Sequence, residues 1–181
     1  MNEMDLEESF ATGGEEVING AIEKYGQDLL RYCHSITGNY HDAQDIVQIT
    51  FIKAYSKRKK YKKGTSLSAW LYKIAYNTTI DTMRKRRLLF FLPENKEDTS
   101  YISEEIQEAL KTLSVADRAL VFSRVIEGKS YSELEYVYGA SAATLRKRYE
   151  RAKKKLAKVL VETNSYYERL EVTKWILIKM S

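Results

Sequence analysis

The chain has 181 residues and a formal net charge of +5, with 44% hydrophobic and 30% charged residues. It could form one domain or two small ones, and its single proline and eight glycines favour long helices over many short strands. Cys33 is the only cysteine, which excludes an internal disulfide, and no apolar run is long enough to span a bilayer. We therefore expect an all-α, soluble, cytoplasmic protein.

Charge is segregated along the sequence. Before Lys24 every charged residue is acidic, and basic blocks follow at 53–63, 84–87 and 146–158, with an acidic stretch at 94–108. Separate basic patches in a moderately charged chain predict a polyanionic partner that is touched at several places.

The N-terminal half predicts three helices. Apolar residues recur at helical spacing from Val17 to Ile36, and Gly38 ends this pattern. A second helix is predicted to begin at Asp42 as its N-cap, and a third is predicted after Ser66. The predicted buried faces are Val17, Ala21, Ile22, Tyr25, Leu29, Cys33 and Ile36 in the first helix, Ile46, Val47, Thr50, Phe51 and Ala54 in the second, and Leu67, Trp70, Leu71, Ile74, Ala75 and Thr78 in the third.

Composition then predicts the domain organisation. Residues 88–103 contain the only proline and lack helical periodicity, which indicates a linker, although its LLFFL start favours docking on another surface. In the tail, the apolar run 175–178 is too short to cross a membrane, which favours packing on the protein itself, and an autoinhibitory tail is a second hypothesis. The predicted segments are an acidic N-terminal segment at 1–14, a helical domain at 15–87, the linker at 88–103, a second helical domain at 104–163 and a C-terminal tail at 164–181.

The second domain ends in a predicted helix-turn-helix. After apolar helical faces between 106 and 125, Gly128 breaks the chain, and Ser130 with Glu133 has capping-box spacing. A short helix, a turn at Gly139 and an N-cap at Ser141 lead into a longer helix. Its predicted buried stripe is Leu145, Tyr149, Ala152, Leu156 and Val159, and its predicted outward residues are Arg146, Lys147, Glu150, Arg151, Lys154 and Lys155.

Such a basic helix suits duplex DNA. The major groove accepts one α-helix, whose first residues reach base edges while later basic residues meet phosphates. Arg146 and Lys147 are placed to contact guanine. A surface helix made basic only for solubility is the alternative that this pattern leaves open.

Three stretches together resemble a known family. DAQDIVQITFIKAY (42–55) and SLSAWLYKIAYNTTIDTMRKRR (66–87) resemble region two of bacterial sigma factors of the extracytoplasmic function (ECF) group. The stretch at 113–156, which contains the helix-turn-helix, is similar to region four of the same proteins. Both modules occur in the family's order and spacing, which is more specific than either module alone.

The resemblance implies partners and site residues. Region two would bind the β′ clamp helices of core RNA polymerase and open the -10 promoter element, and region four would bind the β flap and read the -35 element. An anti-sigma factor is a further implied partner. The implied polymerase contacts are Asp45, Gln48, Ile49 and Ile52; the implied -10 contacts are Lys60, Tyr61, Lys62, Lys63, Asn77, Arg84, Lys85, Arg86 and Arg87; and the implied -35 contacts are Ser141, Thr144, Arg146, Lys147, Arg148, Glu150, Arg151 and Lys154.

Two residues depart from the family pattern. Ile49 replaces a usual glutamate on the face that would meet the polymerase. Glu135 stands where a small residue usually allows close helix packing, so it either points outward through a shifted register or loosens the helix-turn-helix.

No pattern in the sequence indicates catalysis. His34 and His41 are isolated, and no metal-ligand spacing or phosphate-binding glycine loop occurs, so we expect no cofactor, no metal and no small-molecule substrate. Two other functions stay open. One is a stand-alone DNA-binding regulator that dimerises through its N-terminal helices, and the other is a sigma-like adaptor without transcription activity.

Overall fold

The structure is a computed structural model that describes residues 3–62, 64–88 and 104–163, where all regular structure is helical, as predicted. The chain divides into two compact units, one comprising 1–97 with 136–139 and the other 98–135 with 140–181. The predicted linker beyond Leu88, including most of LLFFL, and the predicted tail at 164–181 lie outside the described residues. The domain boundaries drawn from the sequence therefore stay predictions.

The first unit begins with a helix that the sequence pattern did not indicate. Helix α1 spans Glu3–Ser9, inside the stretch interpreted only as an acidic segment. At seven residues it is too short to be stable alone, so it depends on the burial of Leu6 and of Phe10, which follows it. Gly13 lets the chain turn closely into the next helix, since a Cβ there would lie 2.2 Å from Val17 Cγ2.

Three longer helices form the core of this unit. They are α2 (Glu15–Thr37), α3 (Tyr40–Ser56) and α4 (Leu67–Leu88), and they pack against one another. Most of the predicted apolar faces are buried, and Trp70 of the third predicted face lies in the core. Ile22 is the clear exception, because 44% of it is exposed. Val47 and Ile74 are half-buried.

The ends of α2 and α3 show why one predicted boundary is wrong. Gly38 ends α2 in the left-handed conformation with φ 69°, as its position in the sequence predicted. The N-cap of α3 is Asn39 and not Asp42, because the Asn39 Oδ1 accepts a hydrogen bond of 2.9 Å from the Asp42 backbone N–H. Asp42 thus lies within the first turn of α3.

The second unit contains α5 (Glu104–Lys111), α6 (Val115–Val125), the first five residues of α7 (Tyr131–Tyr138) and α8 (Ala142–Thr163), while the last three residues of α7 belong to the first unit. Both α5 and α6 pack on α8, whose predicted stripe is buried except for the half-buried Val159. The predicted helix-turn-helix is confirmed, with Gly139 at φ 63° in its turn. The capping box is also confirmed, since the Ser130 N–H donates to Glu133 Oε2 at 2.6 Å and the Glu133 N–H donates to Ser130 Oγ at 3.3 Å.

Helices α4 and α8 have N-termini of the same construction. Ser66 and Ser141 are their N-caps, and each Oγ accepts a backbone N–H of the first turn, from Ala69 at 3.2 Å and from Thr144 at 3.3 Å. A glutamate from another helix holds the first amide of each: Glu7 Oε1 accepts from the Leu67 N–H at 2.9 Å, and Glu135 Oε1 accepts from the Ala142 N–H.

Glu135 therefore does not loosen the helix-turn-helix. Its side chain is exposed and points outward. Its carboxylate reaches forward across the turn and accepts a hydrogen bond from the Ala142 N–H at the start of α8. Leu134 next to it is fully buried and is one of three buried apolar side chains of α7, with Val137 and Tyr138.

The first prediction concerns the hydrogen bond from the Ala142 N–H to the Glu135 carboxylate. Replacing Glu135 by alanine removes the acceptor of the Ala142 N–H and should lower the free energy of unfolding by about 1 kcal/mol, the usual size of a lost cap. Glu135→Gln keeps an oxygen acceptor and should lose clearly less. Urea denaturation of both variants measures the difference, and an alanine variant as stable as the wild type would contradict the proposed bond.

The second prediction concerns pH. Hydrogen bonds from Ser130 lower the pKa of Glu133 below its ordinary 4.5. Because the pKa is lower in the folded state than in the unfolded state, the stabilisation is complete above the unfolded pKa and is lost as the pH falls through the folded one. The stability difference between wild type and Glu133→Gln should be constant at neutral pH and shrink below pH 4.5. A difference that does not change with pH would contradict this assignment.

Candidate functional site

The exposed side of α8 carries most of the residues expected to contact duplex DNA. Ser141 and Thr144 are exposed at its start, and their hydroxyl oxygens lie 3.0 Å apart. Four of the expected basic contacts are exposed after them, at Arg146, Lys147, Arg151 and Lys154. The helix therefore offers hydroxyls in its first turn and positive charge along the next two turns, on the side opposite its buried stripe.

Arg148 is oriented differently from these residues. Its Nε and Nη2 donate to Asp117 Oδ1 on α6 at 3.1 and 3.0 Å, while Asp117 Oδ2 accepts from the N-cap Ser114 Oγ at 2.7 Å. Arg148 thus joins α8 to the start of α6, and we remove it from the expected DNA contacts. Glu150 is half-buried and forms an ion pair of 3.7 Å with Lys153.

An aromatic ring that the sequence pattern did not indicate lies beside Arg146. The guanidinium carbon of Arg146 lies 5.4 Å from the centre of the Tyr131 ring, and that of Arg124 lies 4.4 Å from the same ring. Cation–π attraction of this kind restricts the orientation of an otherwise exposed side chain. Tyr131 itself contacts the ring of Tyr149, and burial raises the pKa of Tyr149 to about 12, so that ring stays neutral.

In the first unit, a lysine-rich loop connects α3 to α4. It starts with a 3-10 turn at Arg58–Lys60, and the side chains of Lys57, Lys59, Lys60 and Lys62 are exposed. Lys63 lies outside the described residues. We name the described part of this segment, residues 57–62 and 64–66, the lysine loop.

Tyr61 does not offer its ring to an unstacked base, contrary to expectation. Only 4% of Tyr61 is exposed, because its ring packs against Phe10 and Trp70 with centroid distances of 5.8 and 5.5 Å. Burial and then the Glu7 carboxylate raise the pKa of its hydroxyl, which donates to the Thr65 carbonyl. Tyr61 is therefore an anchor of the lysine loop.

Helix α4 places the remaining expected -10 residues. Asn77 and Lys85 are exposed, and Arg84 is exposed with an ion pair of 3.3 Å to Asp81. Arg86 is bound to Asp42 at the start of α3, so it links two helices and we remove it from the expected phosphate contacts. The side chain of Arg87 lies outside the described residues.

A mixed polar and apolar stripe runs along the outer side of α3. Asp45 and Gln48 are exposed, and the exposed fractions of Ile49 and Ile52 are 39% and 68%. The four residues have the spacing i, i+3, i+4 and i+7, which puts them on one face of the helix. Ile49 and Ile52 lie one turn apart and form a small exposed apolar patch with polar residues beside it, which suits a contact with another protein.

The described ranges contain neither a membrane-spanning helix nor a cluster of metal ligands. Each helix in them is too short or too polar to span a bilayer. No group of three or more His, Cys, Asp or Glu side chains in those same ranges could hold a metal ion.

Comparison with known proteins identifies both units. Residues 21–88 match the sigma-70 region 2 family, and residues 103–156 match the sigma-70, region 4 family. The ECF RNA polymerase sigma factor SigE of Mycolicibacterium smegmatis is 30% identical over 159 residues, which cover 80% of this chain and 62% of SigE. The RNA polymerase sigma factor SigV of Bacillus subtilis is 30% identical over 141 residues, which cover 74% of this chain and 84% of SigV.

Two solved structures have folds similar to that of this chain. The sigma factor RpoE of Bartonella quintana, in complex with the anti-sigma factor NepR, matches with a TM-score of 0.67 and 26% identity, over 78% of this chain and 95% of that one. CnrH, in complex with the cytosolic domain of CnrY, shares the fold with a TM-score of 0.72 and 23% identity, over 90% of this chain and 99% of that one. The chain belongs to the RNA polymerase sigma factors of the ECF group.

Proposed function

We propose that this chain binds core RNA polymerase in the cytoplasm, reads the -35 promoter element with α8 and captures the opened -10 strand with the lysine loop and α4. The observation that carries this proposal is that one chain combines the exposed basic residues of a helix-turn-helix with a separate lysine-rich surface and an exposed isoleucine pair. The chain would direct the chemistry of the polymerase and perform none itself.

Reading of the -35 element would rest on the first two turns of α8. A helix that enters the major groove by its N-terminus brings Thr144, Arg146 and Lys147 to base edges. Arginine forms two hydrogen bonds with the O6 and N7 of guanine, and the Tyr131 ring holds Arg146 ready for such a contact. Arg151 and Lys154, further along, would meet phosphates.

Capture of the -10 strand would rest on charge more than on stacking. The exposed lysines of the lysine loop give a positive surface for a strand backbone, and Lys85 extends positive charge along α4. With Tyr61 buried, the exposed amide of Asn77 is the group on α4 that suits a base edge.

The stripe on α3 is the proposed contact with the β′ clamp helices. Ile49 and Ile52 would bury apolar surface there, while Asp45 and Gln48 supply polar contacts at its edge. An isoleucine in place of the family's glutamate at position 49 makes this contact more apolar than usual. We also propose the β flap as a partner of the second unit, as the resemblance to region four implies. An anti-sigma factor is the proposed regulator, since the relative RpoE was solved in complex with the anti-sigma factor NepR.

Our third prediction tests the polymerase contact. Ile52→Asp puts a charge where the proposed interface buries an apolar side chain worth about 2 kcal/mol, so affinity for core polymerase should fall at least about tenfold. Ile22→Asp is the matched control, because Ile22 is also exposed in the same unit but lies on α2. Competition against a labelled wild-type chain measures both. Equal affinities for the two variants would refute the contact.

The fourth prediction separates base contacts from phosphate contacts. Arg146→Ala should cost about 1 to 3 kcal/mol on the preferred duplex and relax its sequence preference. Lys154→Ala should weaken binding to all sequences alike. It should also make the slope of log affinity against log salt concentration shallower by about 1, because one phosphate contact is lost. Holoenzyme binding to duplexes that vary at single -35 positions, over a range of salt concentrations, measures both effects.

Arg148→Ala serves as the control for that experiment. Because Arg148 is bound to Asp117, this variant should lower the stability of the second unit and leave the order of sequence preference unchanged. A changed preference in Arg148→Ala together with an unchanged one in Arg146→Ala would contradict the assignment of the two arginines.

A further inference from the structure

Helix α1 lies outside the matched family region, which begins at residue 21, and its contacts lead directly to the lysine loop. Phe10, just after α1, is 2% exposed and its ring lies edge-on to two others, with centroid distances of 5.8 Å to Tyr61 and 5.7 Å to Trp70. Tyr61 belongs to the loop and Trp70 to the first turn of α4. The three rings therefore form a single cluster that joins the N-terminal helix, the loop and α4.

A second contact reaches the same place from α1 itself. Glu7 Oε1 accepts the 2.9 Å hydrogen bond from the backbone N–H of Leu67, the first residue of α4. This amide cannot bond within α4, because the first four N–H groups of a helix have no partner there. Glu7 thus fixes the end of the lysine loop, where α4 begins, and Phe10 fixes its middle through the Tyr61 ring.

The lysines of the loop point away from these anchors. Lys59, Lys60 and Lys62 are exposed while Tyr61 between them is buried, so the anchored ring determines which side of the loop faces solvent. Like charges in a short loop repel one another and favour many open conformations. Without an anchor, the arrangement of these ammonium groups along one surface would be only one of those conformations.

We propose that α1 and Phe10 are a positioning element for strand capture: they fix the lysine loop in the conformation that receives the single strand of the opened promoter. This inference rests on the proposed function of the loop. The N-terminal segment with α1 and Phe10 lies outside the family match. We assign to it a role in promoter opening that is separate from polymerase binding and from reading of the duplex.

The test uses the full chain assembled with core RNA polymerase. A promoter fragment that the wild-type holoenzyme opens carries 2-aminopurine in its -10 region, and the fluorescence increase reports strand opening. The variants are Phe10→Ala, which removes the anchoring ring, Phe10→Leu, which keeps an apolar side chain of similar size, and Met4→Ala, a control on the exposed side of α1 where Met4 is 69% exposed. The double variant Lys59→Ala/Lys60→Ala tests the loop itself.

If Phe10→Ala reduces the held conformation to about a tenth of the population, the apparent affinity for the opened strand falls about tenfold. Phe10→Leu should restore most of it, and Met4→Ala should match the wild type. Polymerase affinity and -35 duplex preference should be unchanged in all of these variants. Hydrogen exchange at the Leu67 amide should become faster in Phe10→Ala, which reports release of the loop directly.

The outcomes separate this inference from the proposed function. If the double lysine variant is impaired but Phe10→Ala opens the promoter as well as the wild type, or better, α1 does not position the loop and the inference is overturned. If the double lysine variant also opens normally, the loop does not capture the strand, and both proposals fail together.

Loss of the whole unit in Phe10→Ala would show as lost polymerase binding, and Glu7→Ala then takes its place. That variant removes the acceptor of the Leu67 amide and leaves the three rings intact. It should bind polymerase normally and open the promoter less well, by a smaller factor than predicted for Phe10→Ala. Normal opening by Glu7→Ala would overturn the inference.

Discussion

The backbone amides at the start of a helix need partners, and in this protein that need determines how both candidate DNA-binding helices are held. The first turns of α4 and α8 each use a serine N-cap together with a glutamate from another helix, Glu7 for α4 and Glu135 for α8. A carboxylate at this end is also favoured by the helix dipole. Each helix start is therefore fixed by a neighbouring element as well as by its own cap. In α8, the residues that would meet base edges lie within the first two turns after this start.

Ion pairs divide the basic residues into two groups with different tasks. Arg86 and Arg148 are bound to Asp42 and Asp117, and each pair joins two helices within one unit. The exposed lysines and Arg146 carry the charge available to a polyanion. A basic block in the sequence is thus partly a structural link between helices and partly a binding surface, and the positive charge offered to DNA is smaller than the count of basic residues suggests.

Helical periodicity predicted the long helices, and hydroxyl side chains at helix starts predicted the caps at Ser66, Ser130 and Ser141, because these features depend on residues a few positions apart. Two errors were local: the N-cap of α3 is Asn39 and not Asp42, and Ile22 is exposed. The other errors came from contacts between residues distant in sequence. Tyr61 lies in a lysine run that looks solvated, yet Phe10, far away in the chain, buries its ring. Arg148 has its partner on another helix, and α1 is too short for a periodic pattern to indicate it. The acidic composition of the first residues predicted a solvated segment, yet Leu6 and Phe10 in that segment are buried.

The central claim is that this chain brings core RNA polymerase to promoters and lets it open them. Run-off transcription with purified core polymerase, the full chain and a library of promoter fragments tests it most directly, with mapping of the RNA 5′ ends. The account predicts discrete start sites that require the chain and share common -35 and -10 sequences upstream. Initiation that is the same with and without the chain, in a preparation where the chain binds duplex DNA on its own at two-fold symmetric sites, would contradict it.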